Sequence, residues 1–272
     1  MLASVVFVPS APLLVPQLAG PAAFDTVDVR VATLAAGGDL AARAPRWFAV
    51  GATDPPHRGV GNRSPAQAAL VRTGSFARFG IDVPVGLDAP ERADRDIAPP
   101  VADSVAPDCV APDSVAPSVM PLSMLIAAWL RAQTGAVRVD PVLIAPDTPT
   151  AECLTAGREL RRRIEEAAEP VGVLVVGDGA IALTATAPGG GVRESAVAVQ
   201  QHIVEAIAAA DTRSVAELDV DQCRAEGVAG RAAWQVAAGL VADTPVRADV
   251  RYADAPFGVG YIVASWTPEV TR

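Results

Sequence analysis

The sequence predicts a single three-layer α/β domain, with a mostly parallel or mixed central sheet, helices on both faces and a C-terminal β-hairpin. Three observations predict it. Short β-branched runs such as VVFV, RWFAV and VGVLVV read as buried strands. Longer segments with apolar residues at helical spacing alternate with them. The last strand-like pair is separated by a turn-forming DAPFG.

In chain order, Ser4–Val8 is the first strand, stopped by Pro9. A helix is expected within Thr26–Leu40, ending near Gly37-Gly38. Arg46–Val50 is a second buried strand, stopped at Gly51 and followed by a polar loop to Pro65. Phe76–Val85 reads as a strand pair. Residues from about 87 to 120 form a low-complexity Pro/Ala/Val/Asp insertion with a degenerate Val-Ala-Pro-Asp repeat. Proline at that frequency is incompatible with a helix interior or a central strand, so a surface insertion is expected.

Order resumes with a helix over Leu122–Ala132, with Leu122, Leu125, Ile126 and Trp129 on one face. Arg138–Ile144 is a strand in which Pro141 indicates a sheet edge or a strand start. Thr150–Ala168 is a helix, and its Arg161, Arg162 and Arg163 stand close to Glu165 and Glu166, as on a solvated, ion-paired face. Val171–Val176, apolar throughout, has the pattern of a central parallel strand. Helices over Glu194–Ala210 and Gly230–Val241 follow, with a short one starting near Ser214. The hairpin runs Val246–Tyr252 and Val259–Trp266.

The 272 residues are expected to form this one domain, 1–272, with ample length for a buried core. Net charge is -9, and all 22 basic residues are arginine, without long basic runs; nucleic acid is an unsuitable partner. Mean hydropathy is +0.31, yet no uncharged apolar run reaches the roughly 18 residues a membrane span needs. The opening residues lack a basic segment and are broken by Pro9, Pro12 and Pro16, so no secretion signal is expected. Three scattered cysteines, Cys109, Cys153 and Cys223, make neither a disulfide framework nor a zinc module, and a cytoplasmic location is expected.

Ligands of open α/β sheets gather at the carboxyl ends of strands. Ser10 follows the first strand, Thr53, Asp54 and His57 follow the second, and Asp178 follows VGVLVV. Gly177-Asp178-Gly179 begins a G-x-G-x-x-A outline, but LTATAPGGG behind it cannot start the helix a dinucleotide requires. Asp178 then reads as a turn carboxylate or a site residue. His202 lies on a polar helix face, and Ser10 is in no nucleophile elbow. A homodimer using Tyr252, Phe257, Tyr261 and Trp266 of the hairpin is conceivable from sequence, against a default of packing in the chain's own core.

A set of fragments in a fixed order carries a resemblance. VVFVPSAPLLVPQL, RWFAVGATDPP, SFARFGIDVPV, MPLSMLIAAWL, VGVLVVGDGAIALTATAPGG, GRAAWQVAAGL and APFGVGYIVASW cover most of the chain outside the insertion. In this order the chain resembles the class III extradiol ring-cleavage dioxygenase subunit-B-like family, in its high-GC bacterial branch. The resemblance implies one α/β domain and, in active members, ferrous iron held by two histidines and a glutamate, with a further histidine as acid/base catalyst. The first histidine position falls on Ser10, the second near Thr53 or Asp54 with His57 close by, and the catalytic one on or near Ile181. The glutamate position falls near Gly230, with Glu226 close. Three histidines are required and the chain has two.

The expectation is therefore a dioxygenase-like protein that has lost its iron and ring cleavage and keeps a cleft for a small molecule or protein, the cleft residues being Ser10, Thr53, Asp54, His57, Asp178 and Ile181. No cofactor is expected. The alternative is a divergent metal-dependent enzyme that works through Asp54, His57 and Asp178. In that case Fe(II) or another divalent ion would draw on Asp54, His57 and Glu226, with His57 and Asp178 as catalytic candidates.

Overall fold

The computed structural model describes residues 1–53, 71–89 and 119–269, with the backbone alone at 21–23. Its centre is a six-stranded sheet. Strands β1 (Leu2–Val8), β2 (Arg46–Ala52), β5 (Arg138–Ile144) and β6 (Val171–Val176) are parallel, in the order β5-β2-β6-β1. The hairpin of β7 (Val246–Asp254) and β8 (Tyr261–Pro268) continues the sheet from β1, with β8 antiparallel to β1. A two-stranded ribbon, β3 (Thr73–Ser75) and β4 (Pro84–Gly86), stands apart.

The helices are α1 (Pro16–Ala19), α2 (Val27–Arg43), α3 (Leu122–Thr134), α4 (Thr150–Glu165), α5 (Glu194–Ala208), α6 (Thr212–Ala216), α7 (Val220–Ala225) and α8 (Arg231–Val241). Alternation along each strand divides the core in two, because successive side chains point to opposite faces. Val5, Phe7, Phe48, Val50, Val173 and Val175 pack under α4, α5 and α8. Val6, Val8, Trp47, Ala49, Leu174 and Val176 pack under α2 and α3. β6 is buried at every position, as a strand covered on both faces must be. Pro141 sits in β5, an edge strand, where a missing N–H is tolerated.

Three local expectations change. The strand pair expected over Phe76–Val85 is instead formed by Thr73–Ser75 and Pro84–Gly86, with a 3-10 turn at Phe76–Phe79 between them. Helix α2 does not end at Gly37-Gly38 but runs on to Arg43. A Cβ on Gly37 would lie 2.8 Å from Leu130 Cδ1, so the glycine makes room for α3 instead of stopping the helix. Of the 87–120 segment, Leu87–Ala89 belong to the sheet edge: Val139 N–H donates to Leu87 O (2.7 Å) and Ala89 N–H to Val137 O (2.7 Å). Arg72 donates to Asp88 and also to Val139 O (3.0 Å), which fastens the ribbon to β5, while Asp140 of β5 accepts from Arg46 and Arg138. On α4, Arg161 pairs with Glu165 and Arg162 with Glu159 and Glu166, as the spacing predicts. Among the described residues no helix is long and apolar enough to cross a membrane.

Helix α8 is buried along its whole length. It can be because α4 and α8 meet backbone to backbone. A Cβ on Gly157 would lie 2.2 Å from Val236 O, and one on Gly239 would lie 2.4 Å from Leu154 O. We predict that Gly157→Ala and Gly239→Ala each lower stability by about 1–3 kcal/mol, the usual cost of overpacking. Gly38→Ala, where nothing lies within 4 Å, should instead raise it by about 0.5–1 kcal/mol through helix propensity. Urea midpoints of the three variants test this, and equal midpoints for Gly157→Ala and wild type would refute the close crossing.

Candidate functional site

β6 is hydrogen-bonded on both sides in a register that pairs Val176 with Val8 of β1 and with Gly51 of β2. Two residues further along each strand stand Asp178, Ser10 and Thr53. The parallel register alone therefore brings these three to one rim at the carboxyl end of the sheet. The ladder continues past the strands, since Gly177 N–H donates to Val8 O (3.0 Å).

The decisive contact is between Ser10 and Asp178. The Ser10 backbone N–H donates to Asp178 Oδ1 at 2.7 Å. The Asp178 carbonyl accepts from Gly230 N–H (2.8 Å), which fixes the residue against the start of α8. Burial pushes the Asp178 carboxyl up to about 7, and the Ser10 N–H, which favours the ionised form, only partly opposes this. Tyr261 is buried beside it; burial and the Asp178 charge both raise the phenol above its ordinary value.

The glycines around Asp178 serve close backbone approach. A Cβ on Gly177 would lie 2.4 Å from Gly230 Cα. Gly179 N–H donates to Gly260 O (2.7 Å), and Gly260 N–H to Ala180 O (2.8 Å). Gln200 of α5 fits against both glycines, and its Oε1 accepts from Ala180 N–H (3.0 Å). No helix follows Gly-Asp-Gly directly; an irregular segment leads to α5 at Glu194. The outline of a dinucleotide fingerprint is thus a crossing point of backbones.

The remaining sequence candidates divide. Thr53 stays at the rim, its N–H donating to Ile144 O (2.9 Å). Ser123 of α3 seats next to it, donating from Oγ to Ala52 O (2.8 Å). Ile181 and Glu226 form a separate group: Ile181 N–H donates to Glu226 O (3.0 Å), and the Ile181 side chain packs on Gly227. Asp54 and His57 lie outside the described residues, as does Cys109. His202 is on the exposed face of α5.

Glu226 is 6% exposed and fully engaged. Oε1 accepts from Ser195 Oγ (2.7 Å), and Oε2 accepts from Arg193 Nε (2.9 Å) and Nη2 (2.8 Å). The Ser195 hydrogen bond, with Arg193, holds its carboxyl below the usual range against the effect of burial. The iron that the resemblance implies would draw on imidazoles and this carboxylate. Ser10, Thr53 and Ile181 offer no imidazole, and Glu226 is bound to Arg193, so the described residues do not fit iron. Among the described residues no group of three His, Cys, Asp or Glu side chains is arranged to hold a metal ion.

Arg231 supports the rim from below. It is 1% exposed, with Nη2 donating to Pro146 O and Thr148 O (both 2.7 Å) and Nη1 to Gln235 Oε1 (2.7 Å). This holds the loop after β5 against α8. Cys153 and Cys223 lie near this guanidinium, but burial raises both thiols, Cys223 to about 11, which leaves them unreactive.

No protein-family model matches the chain, and no curated protein matches it. Sequence reasoning missed Gln200 and the role of Tyr261 at the rim; the pairing of isolated glycines at 177, 179, 230 and 260 was the available signal, since glycine often marks close backbone approach.

The elevated Asp178 carboxyl has a consequence for stability. The folded state holds its proton up to about 7, while the unfolded chain releases it near the ordinary 3.8. Between those values the folded state binds more protons, so stability falls as pH rises. Asp178→Asn keeps the acceptor for Ser10 without the charge. It should be more stable than wild type by about 1–2 kcal/mol at pH 8, with the gap narrowing toward pH 5. Urea unfolding of both proteins across that range is the measurement, and a pH-independent gap would show an ordinary carboxyl.

Proposed function

We propose that this chain is a class III extradiol-dioxygenase-like protein that has lost the iron site and ring cleavage, and that its carboxyl-end rim binds a small molecule. The order of the resembling fragments and the α/β architecture support the first part. The observation that carries the reading is the fate of Glu226: the one glutamate near the family's ligand position is taken up by Arg193 and Ser195. The rim keeps a polar focus without a metal. Asp178, whose carboxyl is pushed up to about 7, neighbours the Tyr261 phenol, and Tyr261 belongs to an apolar cluster against which Leu13, Tyr252 and Phe257 also pack. Such a rim suits a ligand with an apolar body and one hydroxyl or amine that bonds to the carboxyl. The free, buried Cys153 and Cys223 accord with a cytoplasmic setting.

A second reading has one observation in its favour. A carboxyl that titrates near 7 at a strand end is poised for general acid–base catalysis, so a divergent enzyme would use Asp178, with Asp54 and His57 as the further groups and a divalent ion as cofactor.

Purification under anaerobic conditions with added Fe(II) separates these readings. The binding reading expects no stoichiometric iron and no turnover of catechol. A screen of small phenols and amines by thermal shift should give hits that stabilise wild type and lose most of that effect in Asp178→Asn. Near-stoichiometric iron with catechol turnover would overturn the proposal.

A further inference from the structure

A second polar concavity lies away from the rim, between the C-terminal half of α2 and the β1-β8-β7 face of the sheet. It encloses about 200 Å³. Apolar Val6 and Leu40 also line it, but much of the floor is hydroxylic. Ser4, Ser265 and Thr267 line it, with Ser4 Oγ 3.4 Å from Thr267 Oγ1. Its walls are charged, with Arg43 and Asp39 from α2 and Arg247, Asp249 and Arg251 from β7.

The charges do not cancel. Arg251 engages both carboxylates, Asp39 at 2.5 Å and Asp249 at 3.3 Å. Arg43 and Arg247 make no hydrogen bond or ion pair with the described residues, although both face the groove. Three guanidiniums against two carboxylates leave a local excess of +1 in a chain whose net charge is -9. The pairing register places Arg247 directly opposite Thr267 and Asp249 opposite Ser265, so a guanidinium and a hydroxyl stand side by side. By contrast, the arginines of another concavity, on α4, are tied to the side chains of their own helix: Arg158 to Thr155, Arg161 to Glu165, Arg162 to Glu159 and Glu166.

Two guanidiniums without a partner among the described residues, above a hydroxyl floor, match the needs of a tetrahedral oxyanion. Guanidinium forks take paired oxygens in charge-assisted bonds, and hydroxyls supply the remaining donors. We propose that this groove binds the phosphate group of a small molecule, gripped by Arg43 and Arg247, with Ser265 and Thr267 as hydrogen-bond donors. Asp39 and Asp249 would set an upper limit on affinity, since Arg251 neutralises them only in part.

The test is a titration of the full chain with inorganic phosphate at constant ionic strength, following arginine Nε–Hε resonances by NMR. Two resonances should shift and saturate, and Arg43→Gln and Arg247→Gln should each remove one of them. Each variant should weaken phosphate binding about tenfold, as loss of a charge-assisted bond implies. Asp249→Asn should tighten it. Both arginines are exposed, so the thermal midpoints of their variants should match wild type. Linear, non-saturating shifts, shifts confined to the α4 arginines, or undiminished binding by the Arg43→Gln/Arg247→Gln double variant would overturn the proposal.

Discussion

β6 is hydrogen-bonded along both edges, and its register fixes where three segments of chain emerge. Val8, Val176 and Gly51 end side by side, so Ser10, Asp178 and Thr53 must be neighbours. The strand is buried at all of its positions, and a one-residue slip would turn its apolar set through the sheet. The cost of such a slip keeps the rim in place. The clasp from Ser10 to Asp178 then needs no special scaffold of its own; it is the next contact in a ladder that has already been set.

The layers around that sheet are thin. Much of the apolar content is alanine and valine, and the helices approach until backbone meets backbone at Gly157 and Gly239. The same device recurs at the rim, where Gly177 touches Gly230 and where Gly179 and Gly260 embrace Gln200. The same close approach crowds the carboxyl at the strand end, and burial of that carboxyl raises its affinity for a proton. Packing and chemistry are here consequences of one choice of residue size.

The strand pattern, the edge position of Pro141 and the hairpin were legible because each is a local property: alternation, a missing N–H, a turn sequence. The rim was legible in outline for the same reason, since strand ends are visible in sequence. What could not be read was partnership. Glu226 looked available as a ligand, but its partners Arg193 and Ser195 come from another segment, 31 to 33 residues away. Gly37-Gly38 looked like a stop because the Leu130 side chain that fills the notch belongs to a different helix. Tyr261 looked like one more hairpin aromatic until the sheet order brought β8 beside β1 and its neighbour β6.

The two margins of the sheet are finished differently. On the β5 side, Leu87–Ala89 occupy the outer hydrogen-bonding positions near Val137 and Val139, and Pro141 interrupts the rest. On the β7 side, the register breaks between Val250 and Tyr252, and exposed Arg247, Asp249, Arg251 and Asp254 line the strand. Charge and irregularity at a free margin discourage another strand from joining it. The sheet therefore resists growing by addition of strands from a neighbour. A strand approaching the β7 margin meets alternating charge and a break in register, and one approaching the β5 margin meets positions already taken by Leu87–Ala89 and a proline that cannot donate.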